Sequence, residues 1–168
     1  MSGRQRRSAA RDVREELLRE AEALLREPAS TAGPPRIVRI ERAVPAVDLI
    51  ARLAAQSADT KWYWAARDNA WAVAGAGVAW RTEAHGPNAL EEISEPVRTL
   101  LSESSERVRV YGGARFDADR EESDSWQPFA AAQFFVPRLE LRREGERFTL
   151  SCQVSLPDDA TDPVRHEE

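Results

Sequence analysis

Two histidines, one cysteine, one lysine and a run of acidic residues are the side chains whose types could carry chemistry in this 168-residue chain. A metal site needs ligands that converge at defined spacing, yet His85 stands in a Gly-Pro loop and His166 in an acidic tail, neither near a cysteine or the other histidine. Cys152 falls between Leu150 and Val154 in an alternating strand pattern, where a thiol packs as a small hydrophobe and is not activated as a nucleophile. The cluster Asp117, Asp119, Glu121, Glu122 and Asp124 has the charge of a calcium loop but not its central glycine or closing glutamate, and reads as a solvated loop. Gly75 and Gly77 form Gly-Ala-Gly inside a strand pattern, which points to close backbone packing and not to a nucleotide loop. Neither a Gly-x-Ser-x-Gly elbow nor a Gly-Lys phosphate loop occurs. Lys61 is the only lysine, so amine chemistry would rest on that one side chain. No catalytic, cofactor-binding or metal-binding residue is assigned on residue types.

The elements that would position such residues are easier to read. A 42% hydrophobic composition with five Trp and five Phe suits one domain with a core. A net charge of −5 argues against nucleic acid and anionic membranes as general partners, and the aromatic strands lack the Lys/Arg-Gly-aromatic-Gly run of single-strand RNA modules. The longest stretch without a charge or strong polar group, residues 70–80, is too short to span a bilayer, and no secretory signal follows the basic N-terminus. A cytoplasmic protein is expected, in keeping with its single cysteine.

Residues 12–26 carry Val13, Leu17, Ala21, Leu24 and Leu25 at helical spacing. Pro28, Gly33, Pro34 and Pro35 then mark a linker, so residues 1–35 form a helix plus linker and residues 36–156 the body. Within the body, residues 36–44 read as a strand, and Val47, Ile50, Ala51 and Ala54 as a short helix after Pro45. Residues 61–67 and 70–81 read as a hairpin across a two-residue Asp68-Asn69 turn. Leu90, Ile93, Val97, Leu100 and Leu101 mark a helix that Pro96 should kink or split. Residues 107–111 read as a strand ending in a Gly112-Gly113 turn, and residues 134–142 and 147–156 as a closing hairpin about Glu144-Gly145. Residues 157–168 read as an acidic, disordered tail. The predicted order is α-β-α-β-β-α-β-β-β, an α+β fold with a mainly antiparallel sheet and packed helices. Trp62, Trp64, Trp71 and Trp80 are expected in core or interface packing.

Three segments taken in order carry a resemblance. They are Lys61-Trp62-Tyr63-Trp64-Ala65-Ala66-Arg67-Asp68, then Val110-Tyr111-Gly112-Gly113-Ala114-Arg115-Phe116-Asp117, then Trp126-Gln127-Pro128-Phe129 with Phe135-Val136-Pro137-Arg138-Leu139-Glu140. At this spacing the chain, over residues 24–156, resembles the N-terminal part of isochorismate synthases in the chorismate-utilising enzyme family. The resemblance implies the N-terminal half of that family's α+β fold. It also implies conversion of chorismate to isochorismate by the whole enzyme, with menaquinone biosynthesis the first choice of pathway and a siderophore or salicylate branch the other.

In that family a lysine base activates water, a glutamic acid protonates the departing hydroxyl, and Mg2+ held by glutamates binds the substrate carboxylate. Those motifs belong to the family's C-terminal half and do not occur here, and Lys61 lies in the aromatic hairpin instead. The resemblance thus implies a scaffold segment that is inactive alone, binds no Mg2+ itself, meets chorismate only in the complete enzyme, and has the missing C-terminal catalytic half as its partner. A truncated, split or frame-shifted gene would account for it. The rivals are a stand-alone interaction module or split-enzyme subunit, and a small-molecule binding domain built on the Trp-rich sheet.

Overall fold

The computed structural model describes residues 3–26, 34–117 and 129–156. The elements are α1 (Gly3–Arg26), β1 (Arg36–Val44), α2 (Leu49–Ala54), β2 (Lys61–Ala65), β3 (Trp71–Ala84), α3 (Ala89–Glu103), β4 (Tyr111–Ala114), β5 (Ala132–Glu144) and β6 (Arg147–Leu156). Their order is the predicted one. The strands form a single six-stranded sheet in the order β1-β6-β5-β3-β2, with β4 on β5, and every pairing is antiparallel. The fold is α+β, as predicted. Most of the expected linker, most of the acidic loop, and the tail with His166 fall outside the described residues.

Alternation along each strand separates two sheet faces. One face is apolar: Leu17 of α1 is buried against Ile40, Val154 and Leu156, with Val13, Ala21, Leu24 and Leu25 beside it. All five apolar positions predicted for the first helix therefore meet the sheet, and full burial of a leucine such as Leu17 is worth about 1.5–3 kcal/mol. The same face receives α2, whose Asp48 accepts from the backbone N–H of Ile50 and Ala51 and so caps its first turn. It is Leu49 and Leu53 of α2 that pack on Ala72, Ala74 and Phe148, while Ile50 is exposed, so the predicted apolar face is rotated by one residue.

The opposite face receives α3 at one end. Ile93 packs on Ala84, Ala89, Ala131 and Ala132, and Leu100 packs on Ile37 and Val136. Leu90 and Leu101, expected on this stripe, are exposed. The helix runs unsplit through Pro96, which is itself exposed; the Glu92 carbonyl that loses its donor there can bond to water, which removes the need for a break.

Two further expectations are corrected. The β2–β3 connection is longer than a two-residue turn: Ala66 N–H donates to the Trp71 carbonyl and Asn69 N–H to the Ala66 carbonyl, closing a loop in which only Asn69 is left-handed (φ 57°). Gly112 and Gly113 do not turn the chain but lie inside β4, whereas residues 107–110 are outside any strand. Glycine is needed at 112 because a Cβ there would run into the Gln133 carbonyl and lie 2.7 Å from Phe134 Cα on β5. Along the same edge, β5 pairs with β4 through residues 132–135 and with β6 through residues 139–144, and the change of partner falls around Pro137, which has no N–H to offer. No described helix is long and apolar enough to cross a membrane.

Candidate functional site

The register builds a polar centre on the α3-bearing face. Glu140 of β5 stands opposite Ser151 of β6 on one side and Gly75 of β3 on the other. A Cβ at Gly75 would collide with the Trp62 indole from β2, so this glycine makes room for the ring, the close packing its strand position predicts. Trp62 stacks at 4.2 Å on Tyr111 of β4 and meets Phe135 edge-on at 5.9 Å. Trp62 Nε1 is buried, with no hydrogen-bond partner among the described residues.

Beneath these rings Glu140 is 0% exposed and fully engaged. Its Oε1 accepts from Arg39 Nη2 at 2.8 Å and lies 3.5 Å from Arg109 Nη1, while its Oε2 accepts from the Tyr111 hydroxyl at 2.8 Å. Arg39, with its side chain only 2% exposed, also donates through Nε to Glu41 at 3.1 Å, and Arg107 donates to the other Glu41 oxygen at 2.6 Å. The buried Gln153 amide satisfies both ends when its oxygen faces Arg39 Nη1 (3.0 Å) and its nitrogen donates to the carbonyls of Pro137 and Arg138. Burial alone would lower the Arg39 pKa, but the bonds to Glu140 and Glu41 outweigh it and raise it. Burial, followed by the Glu140 charge, pushes the Tyr111 phenol above its ordinary value.

This arrangement is a clamp that ties β1, β4, β5 and β6 together. Its carboxylates are committed to arginines and a phenol, so neither is placed to act as a general base. Burial would raise the Glu41 pKa, but Arg39 and Arg107 prevail and hold it below the usual carboxylate range. Such a group stabilises the fold above its unfolded value, near 4.5, and the contribution is lost as pH falls through the depressed folded value. Glu41→Gln is accordingly expected to flatten the fall in urea midpoint between about pH 5 and pH 3. An acid limb identical to that of the parent protein would contradict this role.

Beside the clamp lies an aromatic row at the sheet edge. Trp64 stacks on Trp71 at 4.1 Å, the Arg142 guanidinium lies 5.1 Å over Trp71, and Arg142 pairs with Glu144. Of the tryptophans expected in core or interface packing, only Trp80 joins an apolar core cluster; Trp62 and Trp71 are half-buried and Trp64 is exposed.

The residues singled out for chemistry are dispersed. His85 is exposed after β3, Cys152 is half-buried on β6 and not fully buried as expected, and Lys61 is exposed with its Nζ donating to the Gln56 carbonyl at 2.6 Å. Among the described residues, no three His, Cys, Asp or Glu side chains come together as metal ligands. Sequence reasoning missed the Glu140 cluster. Its signal was the polar set Ser151, Gln153 and Ser155 alternating with apolar residues on β6, which the structure shows to be fully buried.

Comparisons with known proteins agree with this architecture. The sequence profile of a family described as chorismate binding enzyme matches residues 21–167. Over 81 residues, 46% of the chain, the sequence is 32% identical to the salicylate biosynthesis isochorismate synthase of Pseudomonas aeruginosa, of which 17% is covered. The menaquinone-specific isochorismate synthase of Escherichia coli has a similar fold, with a TM-score of 0.58 at 23% identity, covering 88% of this chain and 31% of that one. The chain therefore spans less than a third of the length of either relative.

Proposed function

The chain belongs to the chorismate-binding enzyme family, and from that membership we propose that it is the scaffold segment of an isochorismate synthase, the enzyme that converts chorismate to isochorismate. The observation that carries the proposal is the extent of the fold match, 88% of this chain on 31% of the E. coli enzyme. In this reading the segment contributes one α+β sheet, locked by the Arg39-Glu140-Tyr111 clamp. The base, the acid and the residues that bind chorismate come from polypeptide equivalent to the rest of the relatives.

The described carboxylates do not suit Mg2+. Glu140 and Glu41 are already held by arginines, and no third ligand joins them. The cation is assigned, with the catalytic groups, to that other polypeptide. Menaquinone supply is the proposed pathway and salicylate supply the alternative, reflecting the E. coli and P. aeruginosa relatives respectively.

The purified chain, incubated with chorismate and Mg2+, is expected to form no isochorismate above a protein-free control. Turnover by the chain alone would overturn the scaffold assignment and return attention to its own side chains.

A further inference from the structure

The outer strands β1 and β2, at the two ends of the strand order, are finished differently. On β1 the outer edge is capped: Ile37 N–H donates to Ser104 Oγ and Arg39 N–H to Ser105 Oγ, both at 2.8 Å, and the Ile37 carbonyl accepts from Ser105 N–H at 2.9 Å. The Glu41 carbonyl on the same strand accepts from Arg42 Nη1. On β2 the hydrogen bonds from Ala66 N–H to the Trp71 carbonyl and from Gly77 N–H to the Thr60 carbonyl set the ladder phase. Bonded and non-bonded pairs alternate in an antiparallel ladder, so Trp62 and Trp64 turn their backbone groups toward β3 while Lys61, Tyr63 and Ala65 turn theirs outward. Among the described residues, nothing takes up those outward groups.

The side chains at this edge are also unusual for an unpaired strand. Tyr63 is 43% exposed on the α2-bearing face and Trp64 48% exposed on the opposite face, where it continues the Trp71-Arg142 row. Natural edges are blunted by charge, proline or a covering segment. Here the only charge is Lys61, at the beginning of the strand.

We propose that β2 is the docking edge for polypeptide equivalent to the unmatched portion of the relatives, one extended segment of which pairs with Lys61–Ala65 and covers Tyr63 and Trp64 from both faces. The proposal rests on the scaffold reading. The occupant follows from the extent of the fold match, because 88% of this chain covers only 31% of the E. coli chain, which leaves 69% of that chain, the complement of 31%, unmatched. A strand that is apolar on both faces answers the ring on each side of the edge, and its main chain answers the outward N–H and C=O groups.

The test co-expresses the full, tagged chain with the portion of the E. coli isochorismate synthase that this chain does not match, and measures co-purification. A stoichiometric complex is expected. Tyr63→Pro, which removes an outward N–H without taking a bond from β3, is expected to reduce recovery about tenfold or more, as loss of a central interface anchor does. Trp64→Ser should act in the same direction if Tyr63→Pro fails to fold by circular dichroism, and Leu90→Ser, at an exposed position of α3, should have no effect. A complex indifferent to both edge variants overturns the docking edge and leaves the scaffold reading standing. Failure of any version to form a complex overturns both. A dimer of the chain alone that Tyr63→Pro abolishes would assign the edge to a second copy and overturn the proposal.

Discussion

Arg39→Met is expected to lower the unfolding free energy by about 3–5 kcal/mol, the usual cost of removing one partner from a buried ion pair. The reason lies in what remains. Glu140 has no exposure of its own, and its other partners are the Tyr111 hydroxyl and the more distant Arg109. Without Arg39 its charge would stay buried with too little compensation, and the Gln153 oxygen and Glu41 would each lose a donor. Since small domains are held by only about 5–15 kcal/mol, such a loss would be visible in urea unfolding at 25 °C. The cost should shrink when the carboxylate is removed as well. Arg39→Met combined with Glu140→Leu and Tyr111→Phe is expected to recover much of the loss, because no charge or hydroxyl is then stranded. Equal instability of the single and triple variants would show that packing, and not charge compensation, governs the site.

The second large effect is expected at Gly112. Gly112→Ala should cost about 1–3 kcal/mol, the range for forcing extra volume into a packed site, and should loosen β4 from β5. The obstacles are backbone atoms of Gln133 and Phe134, which cannot rotate away as a side chain could. Gly113 supplies the control: a Cβ there meets nothing within 4 Å, so Gly113→Ala should stay within about 0.5 kcal/mol of the parent. Because Tyr111 reaches Glu140 from the same strand, loosening β4 should also disturb the Tyr111-Trp62 stack, read as a change in near-ultraviolet circular dichroism. Equal thermal midpoints for the two variants would refute the close-approach account.

The elements with a strong local signal were legible in the residues. The amphipathic α1, the aromatic hairpin and the alternating β6 each carry a period that only one kind of element satisfies. What was not legible depended on distant neighbours. The Gly112-Gly113 pair is ordinary turn chemistry until Gln133 and Phe134 are laid beside it. Alternation on β6 reveals two faces but not that both are covered, and the serines and glutamine there look solvent-facing until Arg39, Glu140 and Gln153 interlock. Pro96 looked like a break because sequence cannot tell that its freed carbonyl lies on an exposed helix face. The site was hidden for the same reason: Arg39, Tyr111 and Glu140 come from three strands, each with an unremarkable local pattern.

The placement of β6 between β1 and β5 also dictates an order of assembly. Strand β1 pairs along its whole length with residues more than a hundred positions later, from Arg36 with Leu156 to Val44 with Phe148. Helix α1 buries Leu17 against Val154 and Leu156 as well as against β1. A chain emerging from the ribosome therefore holds α1 and β1 without their main partner until β6 has been synthesised, and the long loop must then close in one late step. Folding of this segment should be slow for its size, with the β2–β3–β5 pairings formed first and the N-terminal elements recruited last.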